Sequence, residues 1–146
     1  MKININLDTS FTETEITINC AAMSAELEKV IASLRVLDLK LTGTKGGQTH
    51  ILDATQIMYI ETTDKKTFLY TATDIYETPL KLYELEHQLP TSDFFRAGKS
   101  SIINFNKIKS LKSDIDGRII VVMETGEKLI VSRQYASFIK NKLGRA

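Results

Sequence analysis

Short apolar alternations, broken by turn signals about every ten residues, limit this chain to a fold built mainly of β-strands. The pattern is plainest near the C-terminus. Residues 108–115, 118–124 and 128–131 read as three strands separated by Asp116-Gly117 and Thr125-Gly126, both two-residue hairpin signals. Upstream, Leu37, Leu39 and Leu41 alternate, and Gly43 to Gly47 turns the chain into a return strand holding Ile51 and Leu52. Ile57, Met58 and Tyr59 belong to the next strand, and a polar tip at residues 62–66 leads into Phe68 and Tyr70. Side chains that alternate with period two bury one face only when the backbone is extended and paired, so a sheet is required.

Three helices interrupt this pattern. Ser24 suits an N-cap, with Glu26 and Glu28 in the first turn where the helix dipole favours acids. Leu27, Val30, Ile31 and Leu34 then follow at the spacing of one helical face. Thr78-Pro79 reads as an N-cap and first-turn proline for a second helix, with Leu82, Leu85 and Leu89 on one face and Pro90 as its stop. The third starts near Ser132, with Tyr135, Phe138, Ile139 and Leu143 on its buried side and Gly144 as its stop. Ahead of the first helix, residues 2–7 (Ile3, Ile5, Leu7) and 14–20 (Ile16, Ile18, Cys20) alternate, so residues 1–36 read as a β-β-α unit. Such a unit is too small to bury its own faces and must pack on the rest of the chain or on another subunit. The expected class is therefore mainly β (α+β), with few helices and a short β-β-α leader.

One stretch presents chemistry as well as structure. In residues 94–104, F-F-R-A-G-K-S-S-I-I-N, Phe94 and Phe95 anchor one end in a core, and Ile102 and Ile103 anchor the other. Between them Arg96, Lys99, Ser100 and Ser101 sit on a segment that Gly98 makes easy to bend. A pinned loop rich in donors suits an anionic partner. Two other basic tips accompany it: Lys65 and Lys66 in a hairpin, and Ser132, Arg133 and Gln134 at a helix start. An arginine at a helix N-terminus opposes the dipole, which points to a task other than helix stability. The net charge of +1 conceals an asymmetry, −6 over residues 1–95 and +7 over residues 96–146. A basic C-terminal third fits a polyanion-binding face.

Other functions find less support. No apolar run approaches the roughly 20 residues of a membrane helix, so no membrane insertion is expected. A single cysteine, Cys20, excludes an internal disulfide, fits a cytoplasmic setting and reads as a small core residue. His50 and His87 stand apart from each other and from Cys20, without metal-ligand spacing or a paired nucleophile. The glycines around Thr44 lack the G-K-[ST] ending of a phosphate-binding loop. Neither an enzyme nor a cofactor is expected. A β-rich protein–protein or ligand-binding module whose basic loops are merely solvated remains the rival reading, followed by a single-stranded nucleic-acid binder.

Four segments in order are similar to one known family: I-M-Y-I-E-T (57–62), L-K-L-Y-E-L-E (80–86), F-F-R-x-x-K-S-x-I-I-N (94–104) and G-E-K-L-I-V-S-R-x-Y (126–135). Together they resemble the LytTR bacterial transcription regulators over residues 40–144. The resemblance implies an elongated, multi-sheet β domain that inserts loops into successive major grooves of double-stranded DNA. It implies a homodimer on direct-repeat half-sites. DNA-binding residues carried over are Lys65, Lys66, Thr67, Arg96, Lys99, Ser100, Ser101, Asn104, Arg133 and Gln134. The chain departs from the family pattern at Gly98, where many members have His, and at Gln134, where many have a basic residue. About 40 residues precede the family segment, short of a typical domain of roughly 100, so no receiver domain is expected. The leader resembles that of the stand-alone subgroup, which implies a membrane-bound inhibitor protein as a further partner.

Overall fold

A computed structural model describes residues 1–143. In chain order the elements are α1 (Ala25–Val36), β1 (Lys40–Lys45), β2 (Gln48–Asp53), β3 (Tyr59–Thr63), β4 (Lys66–Tyr70), β5 (Ile75–Thr78) and α2 (Leu82–Gln88). There follow β6 (Phe94–Gly98), β7 (Ser101–Asn104), β8 (Ile108–Ser113), β9 (Ile119–Met123), β10 (Lys128–Val131) and α3 (Ala136–Lys142), with a 3-10 turn at Arg133–Tyr135 leading into α3. Seven strands form one antiparallel sheet in the order β2-β1-β5-β4-β3-β7-β6, and β10-β9-β8 form a second. The mainly β class and the three-stranded C-terminal meander are as the alternation requires.

The large sheet is apolar on both faces, which explains why adjacent residues such as Tyr59 and Ile60, or Ile102 and Ile103, are both apolar. Ile60, Leu69 and Ile102 face a cluster closed by Ala32 and Val36 of α1 and Leu82 and Leu85 of α2. Tyr59, Phe95 and Ile103 face a second cluster built from Val121, Met123 and Val131 of the small sheet and Ile139 of α3. Adjacent residues of one strand, Tyr59 and Ile60, thus belong to different cores because pleating sends them to opposite faces. The two sheets are joined by a hydrogen bond from the Tyr59 hydroxyl to Glu127. Burial and that carboxylate push the Tyr59 phenol far above its ordinary pKa.

Several expectations are corrected. The residues of 2–7 and 14–20 form no strand; they carry no regular structure, pair with nothing and are exposed, with Ile3 at 83% and Leu7 at 90%. Alternation makes a segment competent to pair, but a ladder needs a neighbouring edge, and none lies beside this one. The β-β-α leader is therefore α1 preceded by an irregular arm, and Cys20 is exposed rather than a core residue. Ser24 does cap α1, accepting from the Leu27 amide at 3.1 Å. The helix, however, buries its small-residue stripe, Ala32 and Val36, and leaves Leu27, Val30, Ile31 and Leu34 half-buried. Leu37 and Leu39 lie outside β1, and Gly43 lies within it, where a Cβ would stand 2.6 Å from that of Tyr76. Thr78 ends β5 instead of capping a helix. α2 starts at Leu82, where the Glu84 carboxylate accepts the Lys81 amide at 3.1 Å. Leu143 is 42% exposed, and Gly144 lies outside the described residues.

Candidate nucleic-acid interface

The three basic tips meet at one end of the large sheet, and backbone pairing puts them there. β3 and β4 form a hairpin whose last register pair, Thr63 with Lys66, leaves Asp64 and Lys65 as a two-residue turn. β3 also pairs with β7, Glu61 opposite Ser101, so that turn projects beside the β6–β7 turn of Lys99 and Ser100. The Thr62 amide donates to the Ser100 carbonyl at 2.8 Å and ties the two turns together. On the other flank the Ser132 amide donates to the Ala97 carbonyl at 2.9 Å, which brings Arg133 and Gln134 alongside β6. Lys65, Lys66, Lys99, Ser100, Arg133 and Gln134 are all exposed, and Ser101 is half-buried.

Each tip has its own local cause. Asp64 and Lys65 have φ of 52° and 65°, the signature of a hairpin turn that follows the strand twist and favours Asn-Gly. Lysine in the second place is conformationally costly there, so its ammonium is bought with backbone strain. Between β6 and β7 the register shifts from Arg96 to Gly98, a bulge at Ala97 that re-aims the end of the strand. Gly98 itself has ordinary backbone angles, and a Cβ would meet Ser101 Oγ only at 3.5 Å, so the expected glycine bend is not used. Arg133 lies over the β8–β9 turn. There Gly117 has φ of +77°, and a Cβ on it would stand 2.9 Å from Arg133 Cγ. That glycine leaves room for the arginine's stem, a contact no spacing rule announces.

Not every residue expected at the interface reaches it. Asn104 is 2% exposed and sits at the opposite end of β7, paired with Phe94. Its amide donates to the Ile57 carbonyl at 2.9 Å and its carbonyl oxygen accepts from the Asn106 amide at 3.0 Å, so it is committed to the fold. Thr67 is 3% exposed, its hydroxyl turned toward that of Thr62 at 3.5 Å. Arg96 is engaged internally by all three guanidinium nitrogens: Nε with the Gly98 carbonyl at 2.7 Å, Nη2 with the Lys99 carbonyl at 2.7 Å, and Nη1 with Glu86 at 2.8 Å. Nothing in the sequence marks Glu86 of α2 for this contact, since its only signal is one carboxylate on the polar face of an amphipathic helix.

A family model described as the LytTr DNA-binding domain matches residues 47–144. An uncharacterized HTH-type transcriptional regulator of Staphylococcus aureus (strain NCTC 8325 / PS 47) is 29% identical over 145 residues, 98% of both chains. A relative of the same description from strain MRSA252 is 28% identical over the same span. Among the described residues no two α-helices follow one another without intervening strands, so this chain shows no helix-turn-helix. The LytTr DNA-binding domain of a Bacillus cereus protein superposes with a TM-score of 0.68 at 30% identity, covering 72% of this chain and 96% of that one. With the two-sheet fold, the basic end of the large sheet and these matches in agreement, the chain belongs to the LytTR family of DNA-binding domains.

Proposed function

We propose that this protein is a transcription regulator that reads double-stranded DNA by inserting its clustered turns, rather than a helix, into the major groove. The observation that carries this reading is the pair of backbone hydrogen bonds, Thr62 to Ser100 and Ser132 to Ala97, that gather three cation-bearing turns at one end of a rigid sheet. Lys65, Lys66 and Lys99 supply ammonium groups for phosphates, Ser100 and Ser101 supply hydroxyls, and Arg133 and Gln134 have the chemistry to meet guanine and adenine edges. Arg96 and Thr67 support these turns from within the fold, whereas Asn104 serves the far end of β7. The protein is proposed to act in the cytoplasm as a homodimer on direct-repeat half-sites, with residues 1–36 as the self-association element. A membrane-bound inhibitor docking on that leader is the competing use of the same surface.

Selection of bound duplexes from a random pool tests this directly. Two similar half-sites about one helical turn apart are expected. On the selected site Arg133→Ala should cost about 1–3 kcal/mol and relax preference at one position, whereas Lys99→Ala should weaken all sequences alike and flatten the log-log salt slope by about 1. Binding of an unrelated protein or ligand with no dependence on salt would instead favour a module with solvated loops. Preference for single strands would overturn the duplex reading.

A further inference from the structure

The guanidinium of Arg96 is the least available cation at the basic end, and its contacts describe a different task. The side chain is 18% exposed, and each of its nitrogens has a partner inside the chain. Two of those partners, the carbonyls of Gly98 and Lys99, are consecutive in the backbone at the β6–β7 turn. The third, Glu86, belongs to α2, which is itself packed in the core through Leu82 and Leu85. The planar fork of arginine suits this use, since it can hold several acceptors in one fixed geometry. A turn that follows a bulge has lost part of its ladder, and its carbonyls need donors. Arg96 supplies them.

We infer that Arg96 is a positioning residue, a brace from Glu86 to the Gly98 and Lys99 carbonyls that fixes the turn carrying Lys99 and Ser100, and not itself a DNA contact. The inference deepens the proposed DNA reading and rests on it for its effect on binding, although the brace exists in the free protein. The same turn accepts from the Thr62 amide, so loosening it releases the neighbouring hairpin tip as well. One guanidinium thereby controls the placement of two of the three cationic turns.

Amide hydrogen exchange in the free full chain and salt-dependent binding to the selected duplex together test this. Arg96→Met keeps the stem but removes the donors; Arg96→Lys keeps the charge but not the fork. In both variants the Thr62 amide is expected to exchange about tenfold faster than in the parent, with protection in β9 and β10 unchanged. In a Lys65→Ala, Lys66→Ala, Lys99→Ala background, where the two turns it places already lack their cations, Arg96→Met should leave the salt slope where that background alone puts it. A further drop of about 1 would mean that Arg96 neutralises a phosphate itself, and would overturn the inference. So would unaltered Thr62 exchange, or a salt slope that Arg96→Lys fully preserves while Arg96→Met does not. If the parent binds no duplex at all, the DNA reading fails while Thr62 exchange still decides the brace.

Discussion

At the scale of single residues, two left-handed backbone positions, Lys65 and Gly117, bear on the proposed interface. Lys65 occupies a left-handed position that glycine would fill at lower conformational cost. Lys65→Gly is expected to raise stability by about 0.5–1 kcal/mol, the relieved strain being partly offset by a freer unfolded chain. The same substitution should weaken duplex binding and flatten its salt slope. Denaturant midpoints and binding isotherms on one preparation would check both signs, and unchanged binding would separate Lys65 from the interface. Gly117 works the other way. Gly117→Ala places a methyl against Arg133 Cγ at a φ of +77°. It should cost about 1–3 kcal/mol of stability, and the displaced Arg133 should lose its base preference. A variant with full stability and unchanged sequence selection would show that the turn does not position the arginine. Both sites were only half legible in sequence. Asp116-Gly117 announced its turn, while the arginine lying over it comes from 16 residues further along the chain.

At the scale of elements, the hairpin of β1 and β2 is tied by charge at two points. Lys40 pairs with Asp53 at 2.9 Å across its base, and Lys45 pairs with Asp74 in the turn before β5. Hydrogen bonds from these lysines hold both aspartates below their ordinary value of 3.8. A carboxylate with a depressed pKa stabilises the fold when ionised, at any pH above its unfolded value. That contribution is lost as pH falls through the lower, folded value. Thermal stability should therefore decline as acid is added below about pH 4, and Asp74→Asn should make the decline between about pH 5 and pH 2 shallower. A melting temperature whose pH profile matches the parent's would remove Asp74 from the account. The ends of the second helix illustrate the limits of local signals. Thr78-Pro79 has the composition of a helix start, yet β5 claims Thr78 by pairing it with Thr67, and the helix waits for Lys81.

At the scale of the whole molecule, exposed apolar surface is unevenly shared. Of the sixteen large hydrophobic residues exposed among the described residues, ten fall in the first 39 positions. The irregular arm and the half-buried stripe of α1 together offer a surface out of proportion to the rest, as expected where chains associate. Ala32 and Val36 pack α1 into the core, and the Lys29–Glu84 pair at 2.9 Å links it to α2, so the α1 stripe keeps a defined relation to the basic end of the large sheet. Ile31→Asp is expected to halve the sedimentation mass of a dimer while leaving the circular dichroism of the β domain intact. A folded variant of unchanged mass would exclude the stripe from self-association.

The sequence by itself determined the strand-rich class, the positions of the two glycine-containing turns of the small sheet (each closing over three residues rather than two), the N-cap of the first helix and the cluster of motifs that mark the family. All of these depend on neighbours within a few residues, where period, φ preference and capping act directly. Tertiary structure alone decided which candidates face outward. Alternation made residues 2–7 and 14–20 competent strands, but a ladder needs a partner, and neither segment pairs with an edge of either sheet. Arg96, Thr67 and Asn104 have the chemistry of DNA contacts, yet long-range pairing surrounds each with backbone or hydroxyl groups that need a partner. A buried polar group must be satisfied before it can be spared for a ligand, and only the assembled sheet shows which demand comes first.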